Sequence, residues 1–214
     1  MRVSVLCTSI AHPILPSLRG WVIRQSARHE VRLAERLEDV AGGDLLLLIS
    51  CVDIVDSTTR SRFRHCLVVH ASALPQGRGW SPHVWQILEG SNVIPVVLFA
   101  AEDAVDTGAI WAQESLTLNG NELFDEINSR LFAVTLKLMD FAVENFATAV
   151  PRPQPDVPAT YYRRRTPADS RLDPDKTLAA QFDLLRVADP QRYPCFLEHR
   201  GARYTVMLKK EDAA

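Results

Sequence analysis

The amino-acid sequence predicts an α/β fold in which a mostly parallel sheet is flanked by helices. Residues 45–51, 66–69 and 94–99 form strand-length runs that are almost entirely apolar, as expected for strands with both faces covered. Between the strands lie stretches with helical spacing of apolar residues, as at 14–28. These helices would supply the covering layers.

Shorter patterns give the other elements of this domain. Residues 2–7 predict a first strand and residues 29–33 a short second one. Residues 109–118 alternate between apolar and polar side chains, which predicts a ribbon along the sheet edge. A long helix follows, with Asn119 as its N-cap and Glu122 in the capping-box position. The single apolar stripe of this helix indicates that it closes the sheet.

A proline-rich stretch divides the chain into two parts. Prolines at 151, 153, 155 and 158 predict a stiff linker. We therefore expect a main domain over 1–150, followed over 151–214 by the linker and a small C-terminal α+β appendage. This appendage is predicted to hold an amphipathic helix near 176–187 and a hairpin across 199–203. It is too short to be an independent enzyme domain.

Composition indicates one soluble globular protein. Of the 214 residues, 47% are hydrophobic and 23% are charged, which is ordinary for this class. The formal net charge of −2 gives no positive field that would attract nucleic acid. The apolar runs are too short for a membrane span or a signal peptide. We expect a cytoplasmic protein with no nucleic-acid or membrane partner.

Cysteine and glycine spacing argues against two further classes. The four cysteines are widely separated, with no Cys-x-x-Cys pair and no histidines at metal-ligand spacing. Neither a disulfide framework nor a metal site is expected. The loop after the first strand lacks Gly-x-Gly-x-x-Gly, so a nicotinamide cofactor is not expected either, although the fold is Rossmann-like.

Two stretches that follow buried strands contain the chemically interesting residues. His70 ends the run at 66–69 and opens a Gly- and Pro-rich loop, after which Ser81 is a candidate N-cap and Pro82 a first helical residue. Asp106 lies in an acidic loop after the run at 94–99. Open α/β sheets bind ligands at the carboxyl ends of their strands, so we expect His70 and Asp106 to meet there.

The motifs His-x-Ser-x-Leu-Pro from His70 and Val-Asp-Thr-Gly-x-Ile around Asp106 resemble the formyltransferase family that uses 10-formyltetrahydrofolate. The resemblance covers about residues 1–147. It implies a Rossmann-like formyltransferase fold for the domain at 1–150 and catalytic roles for His70 and Asp106. A histidine can donate a hydrogen bond or a proton at neutral pH, and a neighbouring carboxylate orients the ring and stabilises its charged form.

The chain departs from the family at one position. Related transformylases have an asparagine two residues before the histidine, which donates to the oxyanion, whereas this chain has Val68. Loss of one such donor elsewhere costs about 10²–10³ in rate. We expect a substitute from His70 itself, from a backbone N–H group or from a side chain such as Ser50.

The resemblance also implies which residues bind the ligands. The folate co-substrate, 10-formyltetrahydrofolate, would be held mainly by main-chain groups of two loops, comprising Val52, Asp53, Val55, Glu102, Asp103 and Ala104. The segment 79–85 most resembles formyltransferases of nucleotide-linked 4-amino-4,6-dideoxy sugars, in the branch that serves pseudaminic-acid-type bacterial surface sugars. The substrate-binding residues would then be Arg78, Gly79, Trp80, Ser81 and His83. From their own chemistry, Arg78, His83 and the Arg163–Arg165 cluster could pair with the diphosphate, and the helix N-terminus at Ser81 offers free N–H groups to a phosphate or a sugar.

Other readings remain open. Trp80 and Trp85 fit either a sugar pocket or core packing, and the charged loop residues fit simple solvation. Transfer to initiator tRNA would call for a larger, basic C-terminal domain than residues 151–214 provide. Transfer to a purine-pathway ribonucleotide, hydrolysis of the formyl donor and a non-enzymatic folate-binding relic are further alternatives. The oligomeric state is also open, a homodimer included.

Overall fold

The computed structural model describes residues 1–9 and 11–211. Its centre is a six-stranded sheet in the order β2-β1-β3-β4-β6-β7. The strands are β1 (Arg2–Leu6), β2 (Glu30–Ala34), β3 (Gly43–Leu48), β4 (Phe63–His70), β6 (Val93–Ala100) and β7 (Ile110–Thr117); β5 (Arg78–Gly79) lies outside this sheet. Strands β2, β1, β3 and β4 are parallel to one another, which confirms the predicted α/β fold with a mostly parallel sheet.

Helices cover the sheet because its strands are apolar on both faces. The helices are α1 (Leu15–Gln25), α2 (Ser57–Arg60), α3 (Pro82–Leu88), α4 (Phe124–Glu144) and α5 (Phe182–Arg186). In β3, Leu45 and Leu47 join the larger core, whereas Leu46 and Leu48 join a separate cluster. Because successive side chains of a strand point to opposite faces, a run of four leucines feeds two cores. No described helix is long and apolar enough to cross a membrane.

The strand predicted at 94–99 runs opposite to its neighbours. β6 pairs antiparallel with both β4 and β7, so its carboxyl end does not lie at the edge where β4 ends. The sequence could not reveal this direction, because β6 is buried on both faces. Ile94 and Val96 face the larger core, while Val97 and Phe99 face another cluster, and the same apolar run arises in either direction.

The long helix begins later than the sequence predicts. Its N-cap is Leu123, whose N–H group donates to the Glu126 carboxylate at 2.8 Å. Asn119 is therefore not the N-cap. The predicted contact still forms in the preceding loop, because the Glu122 carboxylate accepts from the Asn119 N–H group at 2.7 Å and from the Gly120 N–H group at 3.0 Å. Two overlapping Glu-containing patterns compete here, and the second one starts the helix.

The C-terminal part contains two small pairs of strands. β8 (Tyr161–Tyr162) pairs parallel with β5. β9 (Cys195–His199) and β10 (Ala202–Val206) form the expected antiparallel hairpin. The helix expected near 176–187 is shorter, since only α5 and a 3₁₀ turn at Ala179–Gln181 form. The Gln181 side chain bonds instead to the backbone of Asp173, at 2.7 Å and 3.0 Å, and closes a turn.

Candidate active site

His70 is the last residue of β4 and is 8% exposed. Its Nε2 atom lies 2.8 Å from the carbonyl oxygen of Gly77. Because Gly77 offers only an acceptor there, Nε2 is the protonated ring nitrogen in this arrangement. The edge of the ring faces Phe99, with 6.4 Å between the ring centroids. The imidazole is thus fixed in orientation while one N–H group points to the loop after β4.

Asp106 lies beside this histidine despite the direction of β6. Its Oδ2 atom is 3.9 Å from His70 Nε2 and accepts a hydrogen bond from the Gly79 N–H group at 2.9 Å. The loop 101–109 folds back to bring it there, and Asp106 adopts a left-handed φ of 57°. At Gly108 a Cβ atom would lie 1.8 Å from the Ala100 carbonyl oxygen, so this return path requires glycine.

Val68 is half-buried in β4, and its side chain has no group that could donate a hydrogen bond to an oxyanion. It packs between two apolar clusters, next to Phe99 and near Leu48. Leu48, the last residue of β3, is paired with Val68, and Ser50 lies in the loop two residues later. Ser50 has a left-handed φ of 53°. The hypothesis that its hydroxyl group replaces the missing amide stays a prediction.

The two loops expected to bind folate are joined by a residue that sequence reasoning missed. Arg60, the last residue of α2, donates from Nη1 to the Val55 carbonyl oxygen at 2.5 Å and pairs through Nη2 with the Asp103 carboxylate. The Val52 N–H group donates to Thr8 Oγ1 at 2.9 Å, and the Ala104 carbonyl accepts from Thr107 Oγ1 at 2.7 Å. Asp53 and Glu102 are exposed. The structure brings the two loops together, and their binding role remains a prediction.

The residues expected to contact the acceptor occupy different environments. Gly79 and Arg78 form β5, and a Cβ atom at Gly79 would lie 2.4 Å from the Tyr162 carbonyl oxygen, so this strand pair also needs glycine. Ser81 is at the N-cap position of α3 but makes no capping hydrogen bond and has a φ of 48°. Trp80 is 39% exposed.

His83, in the first turn of α3, is half-buried. Burial, together with the smaller effects of the nearby His12, His70 and Arg165, lowers its pKa to about 4. His83 is therefore neutral at physiological pH. A neutral imidazole can bind a sugar hydroxyl, but it gives no charge to a phosphate.

Arginine and aromatic side chains alternate beside β5. The guanidinium of Arg164 lies 4.9 Å from the Trp80 ring centroid, and that of Arg163 lies 4.9 Å from the Trp85 ring centroid. Trp85 is stacked on Tyr162, with ring centroids 6.1 Å apart. Such pairs are typical of cation–π contacts. Arg163 and Arg164 of the predicted basic cluster thus lie against aromatic rings.

The sequence matches the profile of a known family over residues 9–142, which is more than half of the chain. That family is described as formyl transferase. The chain belongs to the formyl transferase family. Its members are enzymes, and the motifs around His70 and Asp106 lie within the matched range.

Two relatives with similar sequence are both methionyl-tRNA formyltransferases. Methionyl-tRNA formyltransferase of Dinoroseobacter shibae is 29% identical over 177 residues, which cover 80% of this chain and 59% of that protein. A second methionyl-tRNA formyltransferase, from a Jannaschia species, is covered over 51% of its length. This chain thus spans little more than half the length of these relatives.

Solved structures share the fold. Methionyl-tRNA formyltransferase from Clostridium thermocellum superposes with a TM-score of 0.83 at 19% identity, covering 99% of this chain and 94% of that one. A sugar N-formyltransferase from a Shewanella species gives 0.74 at 16%, covering 100% and 99%. HypX from Aquifex aeolicus, in complex with tetrahydrofolic acid, gives 0.78 at 17%, covering 97% and 37%.

Two further residues contact the site of this formyl transferase and were not predicted. Gln154 Nε2 donates to the carbonyl oxygens of Asp106 and Gly108, at 2.9 Å and 3.0 Å. Thr160 Oγ1 accepts from the Gly77 N–H group at 2.8 Å. Gln154 lies between prolines of the predicted linker and Thr160 follows the last of these prolines, and neither position carries a sequence pattern that indicates a contact with the site.

The arrangement suits acyl-transfer chemistry. A buried imidazole with a carboxylate 3.9 Å away can exchange a proton and stabilise developing charge. Among residues 1–9 and 11–211, no group of three or more His, Cys, Asp or Glu side chains is placed to hold a metal ion.

Proposed function

We propose that this protein transfers the formyl group of 10-formyltetrahydrofolate to the amine of a nucleotide-linked 4-amino-4,6-dideoxy sugar, in biosynthesis of a bacterial surface glycan of the pseudaminic-acid type. The observation that supports formyl transfer most directly is the buried His70–Asp106 pair, 3.9 Å apart, in a chain of the formyl transferase family. The assignment of the acceptor depends on the surface next to this pair.

In the proposed reaction the acceptor amine attacks the formyl carbon, and the carbonyl π electrons move to oxygen. For this step the Nε2–H group of His70 turns from the Gly77 carbonyl oxygen to the substrate and donates a hydrogen bond to this oxyanion. Asp106 orients the imidazole, and the pair removes the surplus proton from the amine nitrogen. The C–N10 bond then breaks as N10 of the folate takes up a proton, which leaves a formamide and tetrahydrofolate. Each proton transfer of this kind contributes typically 10²–10⁴ in rate.

The surface around β5 supports a sugar nucleotide as the acceptor. Trp80 is 39% exposed and Tyr161 is 69% exposed, so both offer flat faces to a base or a sugar ring. Arg164 lies against Trp80 and leaves N–H groups for a phosphate. A sugar N-formyltransferase shares the fold, which is compatible with this proposal.

A second acceptor is favoured by a different observation. The curated relatives with matching sequence are methionyl-tRNA formyltransferases. Binding of tRNA gains most of its affinity from phosphate contacts, whereas this chain has a net charge of −2. Transfer to methionyl-tRNA is therefore the second candidate, and it predicts activity that falls steeply with salt.

A formyl-transfer assay decides between these functions. The panel contains 10-formyltetrahydrofolate with UDP- and dTDP-linked 4-amino sugars, glycinamide ribonucleotide or charged initiator tRNA. We expect turnover with one amino sugar, and a loss of at least about a hundredfold in kcat for His70→Ala and Asp106→Asn. Turnover with tRNA alone would contradict the sugar assignment. Formate release without an acceptor would indicate a hydrolase, and folate binding without turnover would indicate a binding relic.

A further inference from the structure

The stretch after residue 150 runs alongside the loop that holds Asp106. Arg152 and Ile110 exchange both backbone hydrogen bonds, Ile110 N–H to Arg152 O at 2.7 Å and Arg152 N–H to Ile110 O at 2.8 Å. This is the pattern of an antiparallel pair. In that register the next hydrogen-bonded pair would be residue 154 with Gly108, which places Gln154 opposite the end of the catalytic loop.

The exchange of backbone hydrogen bonds ends at Arg152. Pro153 and Pro155 flank Gln154 at positions that turn away from the partner strand, where a missing N–H group is tolerated. The side-chain amide of Gln154 donates instead, from Nε2 to the carbonyl oxygens of Gly108 and Asp106. Gln154 is also half-buried, although its neighbours at 151–153 and 155–158 are exposed. The side chain of Gln154 thus takes the place of backbone hydrogen bonds between this segment and the loop 101–109, which contains Asp106.

The other end of the amide is fixed as well. Gln154 Oε1 accepts from Arg78 Nη2 at 2.8 Å, which sets which end of the amide faces the loop. Arg78 belongs to β5, whose Gly79 N–H group donates to the Asp106 carboxylate. The backbone of Asp106 is therefore held by Gln154 and its side chain by Gly79, with Arg78 connecting the two holds.

Asp106 needs this support because of its conformation. Asp106 has a left-handed φ of 57°, which is unfavourable for a residue other than glycine, and a carbonyl held by a donor resists relaxation to an ordinary φ. We propose that Gln154 is a positioning residue for catalysis: its amide fixes the backbone of Asp106 so that the carboxylate stays beside His70. This inference rests on the proposed formyl transfer and adds to it a residue outside the predicted motifs.

Variants of Gln154 test the proposal in the full-length protein. Gln154→Met keeps the volume and removes every hydrogen bond, whereas Gln154→Glu can still accept from Arg78 and can no longer donate to the loop. We expect both to lower kcat about 10–100-fold with an acceptor KM within about twofold of wild type, because a displacement of about 1 Å costs up to about 10² in rate. We also expect faster hydrogen exchange of the Gly79 amide.

The matched control is Gln181→Met. Gln181 also bonds through its side chain to backbone groups, including the Asp173 N–H and carbonyl, but in the turn before α5. Gln181→Met should lower Tm about as much as Gln154→Met does, and it should leave kcat and the hydrogen exchange of the Gly79 amide unchanged. Equal losses of kcat in Gln181→Met and Gln154→Met would overturn the proposal, as would wild-type kcat and exchange in Gln154→Met.

The two readouts separate this inference from the proposed function. If the wild-type protein formylates no acceptor, the proposed function fails, while the exchange of the Gly79 amide still decides whether Gln154 holds the catalytic loop. A rise in acceptor KM at unchanged kcat would instead make Gln154 a binding residue and contradict a positioning role.

Discussion

At the scale of single residues, the histidines beside the active site couple stability to pH. Burial is the main cause that lowers the pKa of His83 to about 4. Burial and, to a smaller extent, the charge of Arg192 lower the pKa of His12 to about 4 as well. Both imidazoles are therefore neutral in the folded protein at neutral pH. In the unfolded chain they titrate near 6.5.

This difference predicts acid sensitivity between pH 6.5 and about 4. Over that range the unfolded chain binds protons that folded His83 does not, so the free energy of unfolding falls as pH falls. At pH 4 the loss from His83 reaches at most about 3 kcal/mol. Urea unfolding across this range measures it. His83→Asn should flatten the slope, whereas His199→Asn, on the exposed hairpin, should not.

Retention of the full slope in His83→Asn would assign the acid sensitivity elsewhere. Carboxylates do not account for this range. The pKa of Asp189 is lowered, chiefly through hydrogen bonds from Arg192, so its contribution is lost only as pH falls below the ordinary value near 4. A slope that appears only below pH 4 would therefore point to the carboxylates.

At the scale of elements, the start of α4 depends on two glutamates of unequal weight. Glu122 is 1% exposed, accepts from two backbone N–H groups and pairs with Arg130 Nη1 at 2.8 Å. Glu126 caps the helix and pairs with Lys210, with both side chains more than 40% exposed. A buried charge that loses its partner is costly, whereas an exposed pair is worth little.

We therefore expect Glu122→Ala to lower the free energy of unfolding by about 3 kcal/mol and Glu126→Ala to lower it clearly less. Chemical denaturation of both variants measures this. Glu122 also lies 3.9 Å from Arg186 Nη1, which is itself 1% exposed, so its removal takes one of two carboxylates away from a buried guanidinium that keeps only its ion pair with Asp183. A larger loss for Glu126→Ala would show that the cap, and not the buried pair, dominates.

The helices and strands also show which parts of the fold can be predicted from the sequence. The sheet, α1, α4 and the hairpin follow from local periodicity, and the loop after β4 follows from its motif. The direction of β6 does not, because burial on both faces produces one apolar run in either orientation. Nor does the N-cap of α4, because Asn119 and Glu122 satisfy the same local pattern as Leu123 and Glu126.

The candidate active site divides in the same way. His70 and Asp106 follow from local motifs, and the structure places them 3.9 Å apart. Arg60 and Gln154 do not, because the contact of Arg60 with the Asp103 carboxylate spans 43 positions of the chain and that of Gln154 with the Asp106 carbonyl spans 48. Nothing near Arg60 or Gln154 in sequence indicates these distant partners. Non-local hydrogen bonds leave no pattern that a single sequence can show.

At the scale of the whole molecule, the segment after residue 150 packs against the candidate active site and the main core. Besides the contacts of Gln154 and Thr160, β8 pairs with β5, and Val187 joins the larger core. Arg186 donates from Nη2 to Asn92 Oδ1 at 3.0 Å, just before β6. Contacts beside Asp106 and at the start of β6 thus cross the expected division at residue 150.

A chain that ends at residue 150 tests this view. It keeps all six strands of the sheet and helices α1 to α4, but it loses the partner of β5 and both side chains that hold Gly77 and Asp106. We expect a folded protein with a lower Tm by circular dichroism and a kcat at least about a hundredfold lower, since positioning at this level contributes about 10² or more. The Arg60–Asp103 ion pair, which joins the two loops proposed to bind folate, would remain in this shorter chain. Folate affinity should therefore fall much less than kcat. Wild-type kcat in this truncated chain would show that residues 1–150 position His70 and Asp106 without help, and that residues 151–214 serve only the acceptor.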